Sequence, residues 1–174
     1  MDSVKKIISK YKKDRTRLID ILKDIQAEEG HVSEQAIRAL ATSLKISRAE
    51  IEGVISFYHF LADRPLGEYV IYLNNSITSE MAGRETVAKV LEKEAGCHFG
   101  ETSPDGLITL LETSCIGMND QEPAAIINGV IFTSLNEEKV KKIVARMKEK
   151  RDVQSMVEEY GDGANQHELV RAMV

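Results

Sequence analysis

The spacing of hydrophobic residues predicts helices in the first third of the chain. Apolar positions recur there every three or four residues, as on one face of a helix. Gly30 is a stop signal, and Ser33 and Ser47 stand where N-caps would open the next two helices. A basic segment, residues 4–17, precedes them with five Lys and two Arg among its apolar residues. We interpret it as the solvated face of an amphipathic helix, with a basic arm for a partner as the alternative.

After Arg64-Pro65-Leu66-Gly67 the hydrophobic period changes to that of strands. Strands are predicted at four apolar runs: Tyr69–Leu73, Leu107–Leu111, Ala124–Ile127 and Val130–Phe132. One helix is predicted from about Glu80 to Ala95. A second is predicted to begin at a capping box formed by Ser134 and Glu137.

These elements predict an α+β chain of two domains and a tail. Residues 1–66 are expected to form a helical bundle, and residues 67–150 a small α/β domain. Residues 151–174 are mostly polar and are interrupted by two glycines. We expect this last segment to be a tail that becomes ordered only when it docks on a partner.

Composition narrows the classes of function. The chain has 23 basic and 28 acidic residues and a net charge of −5, which disfavours a nucleic-acid partner. No apolar run reaches the roughly 20 residues that a membrane span needs. The two cysteines, Cys97 and Cys115, cannot form a disulfide framework, and the N-terminus does not resemble a signal peptide. We therefore expect a cytoplasmic protein.

Generic motifs indicate little chemistry. Glycine-rich nucleotide loops and the HExxH zinc motif are absent, and the four histidines are scattered. Cys115 lies in a polar loop between two predicted strands, where an exposed thiol could react, but composition favours a half-buried structural cysteine. Phe57 and Tyr58 are similarly ambiguous. They belong either to a partner contact or to the core of the domain, and we favour the core.

Several blocks of the chain, taken in order, resemble one known family. They are Leu18–Gln26, Gly30–Ile37, Ile51–Tyr58, Pro65-Leu66-Gly67, Gly100–Gly106, Thr109-Leu110-Leu111, Cys115-Ile116-Gly117 and Pro123. Over residues 15–150 the chain is similar to the small [2Fe–2S] E subunit of NADH:quinone oxidoreductase, which also occurs in NAD(P)-linked hydrogenases and formate dehydrogenases. The resemblance implies a thioredoxin-like domain with a four-stranded mixed sheet. It also places Pro123 at the thioredoxin-fold proline, for which the sequence alone leaves cis and trans open.

In that family four cysteine thiolates hold the cluster, one pair separated by four residues and the other by three. The resemblance implies that the corresponding positions here are Asn74, Ser79, Cys115 and Asn119. Three of these four lack a thiol, and neither an amide oxygen nor a serine hydroxyl is a good donor to iron bound to sulfide. Cys97 is implied to lie away from this site. We therefore expect no cluster, no other metal and no catalytic residue in this chain.

The resemblance implies a non-catalytic structural subunit that packs against the FMN- and NAD(P)(H)-binding subunit of a flavin-dependent oxidoreductase. FMN and iron–sulfur clusters would then be carried by that partner and by further Fe–S subunits. The complex would be a bifurcating transhydrogenase, a hydrogenase or a formate dehydrogenase. The alternative is an electron-transfer subunit that still binds a [2Fe–2S] cluster beside the flavin. A thioredoxin-type thiol enzyme using Cys115 is disfavoured, because the second cysteine of a CxxC motif is missing.

Overall fold

A computed structural model describes residues 2–160 of the chain. The chain divides into two compact units between Leu66 and Gly67. We call the part before this boundary the helical unit and the part after it the sheet unit. Each is described by itself below.

Over residues 2–66 the helical unit contains four α-helices and a short 3₁₀ turn. The helices are α1 (Asp2–Lys10), α2 (Leu18–Glu29), α3 (Glu34–Leu44) and α4 (Arg48–Phe57), and the 3₁₀ turn is Arg15–Arg17. Gly30 ends α2 in the left-handed conformation. The hydroxyls of Ser33 and Ser47 accept hydrogen bonds from the third residues after them, at 3.2 and 3.1 Å, so both predicted N-caps are present.

The core of the helical unit is made of the apolar faces of all four helices. Its fully buried members are Ile21, Leu22, Ile25, Leu40 and Ile51, together with Val32 from the α2–α3 connection. Gln26 attaches the segment after α4 to this core: its side chain donates to the Phe60 carbonyl and accepts from the Ala62 amide, both at 2.6 Å. The chain after α4 is thereby held against α2 without being helical.

The basic segment begins with the amphipathic helix that we predict, because α1 buries Val4 and Ile8 and exposes Lys5 and Lys6. Only its extent is corrected: a turn with left-handed backbone at Lys12 and Lys13 follows α1 and separates it from the 3₁₀ turn. We also favoured the core for Phe57 and Tyr58. Phe57 is 74% exposed, since it lies on the outer face of the last turn of α4, whereas Tyr58 is partly buried against the core.

The sheet unit is organised around strand β1 (Tyr69–Asn74). It pairs in parallel with β2 (Ile108–Thr113) and antiparallel with β3 (Ala125–Ile127), which in turn pairs antiparallel with β4 (Val130–Phe132). The spatial order is therefore β2-β1-β3-β4. This confirms the predicted fold class, an α+β chain with a helical bundle followed by a thioredoxin-like four-stranded mixed sheet.

Within residues 67–160 four helices accompany the sheet: α5 (Ile77–Met81), α6 (Arg84–Ala95), α7 (Glu137–Lys148) and α8 (Val153–Tyr160). The single helix predicted from about Glu80 is in fact two, because Gly83 adopts a left-handed φ of 95° that interrupts the helical path. The predicted cap at Ser134 is also wrong. Ser134 itself has a positive φ, and Asn136 caps α7 by accepting from the Lys139 amide at 2.9 Å.

Part of the expected tail belongs to the sheet unit. Helix α8 buries Val153, Met156 and Val157 in the same core as the sheet, so these residues are part of the sheet unit. Residues 161–174 of the predicted tail lie outside the described residues. Among the helices within residues 2–160, none is long and apolar enough to cross a membrane.

Gly67 approaches β2 so closely that a side chain would not fit. A Cβ at this position would lie 2.8 Å from the carbonyl oxygen of Leu107, and the Gly67 amide donates to Thr109 Oγ1 at 2.6 Å. We predict that Gly67→Ala lowers the free energy of unfolding by about 1–3 kcal/mol, as overpacking does. Urea unfolding followed by circular dichroism measures it.

Gly53→Ala is the matched control for this substitution. Gly53 is exposed within α4, and its added Cβ would meet nothing within 4 Å. Alanine should there stabilise the helix by about 0.5–1 kcal/mol. Equal effects of the two substitutions would contradict the close approach at Gly67.

Candidate functional site

The four sequence-predicted positions lie at one edge of the sheet. Because β1 and β2 are parallel neighbours, both strands end at this edge and their following loops run side by side. The Asn75 amide donates to the Thr113 carbonyl at 2.9 Å, and the Asn74 amide donates to the Ala124 carbonyl at 3.0 Å. Residues from two connections, the one after β1 and the one that joins β2 to β3, are thereby brought together.

The four positions differ in burial. Asn74, the last residue of β1, and Ser79, within α5, are fully buried. Cys115 and Asn119 lie in the exposed loop after β2. The Cys115 thiol donates to Asn119 Oδ1 at 3.3 Å, and Thr78 Oγ1 donates to the same oxygen at 2.9 Å. The structure therefore links the second pair to α5 through Thr78, a residue that the sequence analysis missed.

Both the nitrogen and the oxygen of the Asn74 side-chain amide form hydrogen bonds. Its Nδ2 donates to the carboxylate of Glu122, and its Oδ1 accepts from the Ser76 amide at 3.0 Å. The second oxygen of Glu122 accepts from the Ala124 amide at 2.8 Å. The peptide bond between Glu122 and Pro123 is cis. Asn74 thus joins the end of β1 to the start of α5 and to the segment that leads into β3.

Arg84, the first residue of α6, is buried behind Asn74. Its Nε donates to the Asn74 carbonyl at 2.9 Å, and its terminal nitrogens pair with Glu80, at 3.1 Å, and with Glu112 of β2. The guanidinium also lies 5.8 Å from the ring centre of Phe99. One cation therefore connects the ends of both parallel strands to α5.

Ser79 carries an unsatisfied group. Its amide is satisfied, because the N-cap residue Ser76 accepts it through Oγ at 3.3 Å. Its hydroxyl is fully buried and has no hydrogen-bond partner within residues 2–160. An unsatisfied buried hydroxyl costs on the order of 1–3 kcal/mol. The buried position of Ser79 in α5 therefore carries an energetic cost.

The two cysteines have opposite surroundings, and both are free. Cys115 is exposed, which corrects our preference for a half-buried residue, and its Sγ accepts from the Gly117 amide at 3.4 Å. Cys97 is buried in the core of the sheet unit, where its thiol lies 3.9 Å from the Ile108 carbonyl. Burial raises the pKa of the Cys97 thiol, assisted by nearby acidic groups such as Glu101. Cys97 is therefore a protonated structural thiol at neutral pH.

The sequence contains a signal for helix α5, which we did not predict as a separate element. Ser76 stands three residues before Ser79, as an N-cap does, and recognising it would have placed the start of α5 correctly. The i,i+4 spacing of Glu80 and Arg84 is a local signal for one ion pair of Arg84. The contacts of Thr78 with Asn119, of Glu122 with Asn74 and of Arg84 with Glu112 have no local signal, because they join residues 28 to 48 positions apart that only the sheet brings together.

Comparisons with known proteins agree with one another. The family model described as thioredoxin-like [2Fe-2S] ferredoxin matches residues 4–148. The NAD-reducing hydrogenase HoxS subunit alpha of Cupriavidus necator is 43% identical over 175 residues, which cover 100% of this chain and 29% of that protein. The E subunit of NADH-quinone oxidoreductase from Buchnera aphidicola is 35% identical over 131 residues, 75% of this chain and 77% of the relative. The chain thus spans less than a third of the hydrogenase protein but most of the quinone oxidoreductase protein.

Solved structures share the fold. An NAD⁺-reducing [NiFe]-hydrogenase in the air-oxidised state superposes with a TM-score of 0.69 at 23% identity, over 81% of this chain and 25% of that chain. The same hydrogenase type in the H₂-reduced state has the same TM-score and identity. At this identity the similarity establishes the arrangement of helices and strands.

The connection made by Arg84 can be tested by Arg84→Met, which keeps an unbranched apolar stem. We expect the free energy of unfolding to fall by about 1.5–3 kcal/mol, the contribution of hydrogen bonds from a charged group. Arg38→Met is the control, since Arg38 is exposed and pairs with Glu34 one helical turn away. Its loss should cost at most about 0.5 kcal/mol. Chemical unfolding that ranks the two substitutions equally would refute the structural role of Arg84.

Proposed function

Because the chain belongs to the thioredoxin-like [2Fe-2S] ferredoxin family, we propose that it is a non-catalytic structural subunit of a multi-subunit, flavin-dependent NAD(P)H oxidoreductase and that it lacks the family's cluster. The named relatives support the first part, since they are subunits of an NAD-reducing hydrogenase and of NADH-quinone oxidoreductase. Catalysis then takes place in partner subunits that carry FMN and iron–sulfur clusters.

The donor set at the ligand positions is the observation that carries this proposal. Iron–sulfur clusters are held by anionic sulfur, with histidine replacing two cysteines in Rieske centres. Asn74, Ser79 and Asn119 supply neutral oxygen, a donor suited to Mg²⁺ or Ca²⁺, and Cys115 alone supplies sulfur. Such a set does not fit a two-iron cluster.

The hydrogen bonds of these side chains support the same conclusion. Asn74 is engaged at both ends of its amide, by Glu122 and by Ser76. Asn119 Oδ1 accepts from Thr78 and from Cys115. Holding a cluster would require these bonds to break without four thiolates to compensate. The positions therefore serve the polypeptide itself.

Exposed apolar side chains support a packing role against a partner. Ile77 and Met81 lie one helical turn apart on α5, beside the site, and are 79% and 84% exposed. In the helical unit Phe57 and Phe60 are also exposed. We propose that the partner is the FMN- and NAD(P)(H)-binding subunit, in a cytoplasmic complex of the hydrogenase, formate dehydrogenase or bifurcating transhydrogenase type. Large exposed apolar groups of this kind are typical of protein interfaces.

Iron and acid-labile sulfide per chain, with an EPR spectrum after dithionite reduction, test the absence of the cluster. On the anaerobically produced chain we expect iron far below stoichiometric amounts and no cluster signal. About two irons per chain, the content of a [2Fe–2S] centre, would overturn the proposal and favour an electron-transfer role. Loss of that iron in Cys115→Ser would then identify Cys115 as a ligand.

A gain-of-ligand variant is the positive control for the same measurement. Asn74→Cys, Ser79→Cys and Asn119→Cys, combined with the native Cys115, restore four thiols at the family spacing. After reconstitution with iron and sulfide this variant should hold about two irons per chain, while the native chain treated identically should not. If both hold iron equally, these four positions do not decide cluster binding.

The packing role is tested by Ile77→Ser combined with Met81→Ser. We expect the affinity for the flavin-binding partner to fall about tenfold or more, as when interface anchors are truncated. FMN that co-purifies with the tagged chain gives the readout. The control is Glu85→Ser with Lys89→Ser, two exposed positions with the same spacing on α6. An equal loss of FMN in both double variants would argue against this surface.

A further inference from the structure

A path of hydrogen bonds crosses the site and joins two parts of the β2–β3 connection, residues 114–124, through Asn74 and the start of α5. It starts at the Glu122 carboxylate, which accepts from Asn74 Nδ2, and continues from Asn74 Oδ1 to the Ser76 amide. The path then passes through the Ser76 and Thr78 hydroxyls, 2.8 Å apart. It ends at Asn119 Oδ1, which accepts from Thr78 at 2.9 Å and from the Cys115 thiol at 3.3 Å.

We propose that this path takes the place of the cluster in holding the two ligand loops together. We call it the polar tie, and its members are Glu122, Asn74, Ser76, Thr78, Asn119 and Cys115. Three of these six, Asn74, Cys115 and Asn119, are predicted ligand positions. At Asn74 and Asn119 the residue that stands in place of a cysteine also supplies polar groups of the tie, whereas Ser79 lies outside it. The inference rests on the proposed absence of the cluster. It adds an explanation of how the site is stabilised when no cluster is bound.

The direction of each hydroxyl proton is consistent along the path. Ser76 Oγ already accepts the Ser79 amide as the N-cap of α5, so its own proton is free to be donated to Thr78. Thr78 in turn donates to Asn119 Oδ1. Each hydroxyl therefore accepts one bond and donates the next, an arrangement in which neighbouring bonds strengthen one another.

The loop after β2 depends on this tie for its attachment to α5. The end of the loop is closed by a bond from the Gln121 amide to the Met118 carbonyl at 2.9 Å. Its side chains at Cys115 and Asn119 reach α5 through Thr78. Thr78 also lies between Ile77 and Met81 on α5, so the same bond positions the apolar side chains proposed to meet the partner. This surface is thereby formed without iron.

Hydrogen exchange of the full chain, read by mass spectrometry over peptides covering residues 113–122, tests the tie. Thr78→Val removes the hydroxyl while keeping the shape of the side chain. Exchange in this loop should then accelerate by about 2- to 12-fold, the range expected for one net hydrogen bond. Thr86→Val, at an exposed threonine on α6, is the matched control and should leave the loop unchanged.

Asn119→Ala removes the shared acceptor and should accelerate exchange at least as much as Thr78→Val does. The double variant should then exchange no faster than Asn119→Ala alone, because both changes remove the same bond. Multiplying effects, or unchanged exchange in both single variants, would overturn the tie. Both substituted positions are exposed, and circular dichroism verifies that each variant is folded.

Different measurements would refute the polar tie and the proposed absence of the cluster. An iron-free native chain whose loop is unaffected by Thr78→Val and Asn119→Ala refutes the tie and leaves the proposed function intact. Iron in the native chain, with loop exchange that rises when a chelator removes it, refutes the proposed function. If the tie is correct, chelator treatment of the native chain leaves the loop exchange unchanged.

Discussion

Strand β1 pairs with β2 on one side and with β3 on the other, and the structure of the sheet unit depends on these two pairings. β1 is parallel to β2 and antiparallel to β3, and its last residues, Leu73 and Asn74, are fully buried. The parallel pairing brings the loops after β1 and β2 to one end of the sheet. The antiparallel pairing holds the last residues of the β2–β3 loop at the same end. The contacts of Asn74 with Glu122 and of Thr78 with Asn119 follow from this arrangement. Without it the residues of each pair would remain more than 40 positions apart along the chain.

Two polar systems stabilise that edge from opposite sides. Behind it, the buried guanidinium of Arg84 connects the end of β1 to Glu112 of β2 and to α5. In front of it, the polar tie crosses from Glu122 to Cys115. The thioredoxin-like [2Fe-2S] ferredoxin family holds a cluster, whereas the four predicted ligand positions of this chain carry three neutral side chains and one thiol. Asn74 and Asn119 are hydrogen-bonded, and the Ser79 hydroxyl is not. The proposed role as a packing subunit follows from this replacement, because the fold and its exposed apolar side chains persist while the sulfur donors do not.

Local sequence signals predicted the elements well where a single residue type decides the backbone. Gly30 and the N-caps Ser33 and Ser47 act where expected, because a left-handed residue or a hydroxyl at a helix end depends only on its neighbours. The same reasoning failed at Ser134. Asn136 caps this helix instead, because Ser134 adopts a positive φ. The interruption at Gly83 was missed because a glycine inside a helical pattern is compatible with either a continuous or a broken helix.

The sequence by itself determined the fold class, which follows from the hydrophobic period along the chain. The order of its sequence blocks determined the family, and the resemblance predicts the four ligand positions. Only the tertiary structure decided that Cys115 is exposed and Cys97 buried, that Phe57 faces outward and that α8 completes the core. It alone joined Thr78 to Asn119 and Asn74 to Glu122. The reason is physical: a hydrogen bond between residues more than 40 positions apart exists only once the strands between them have paired.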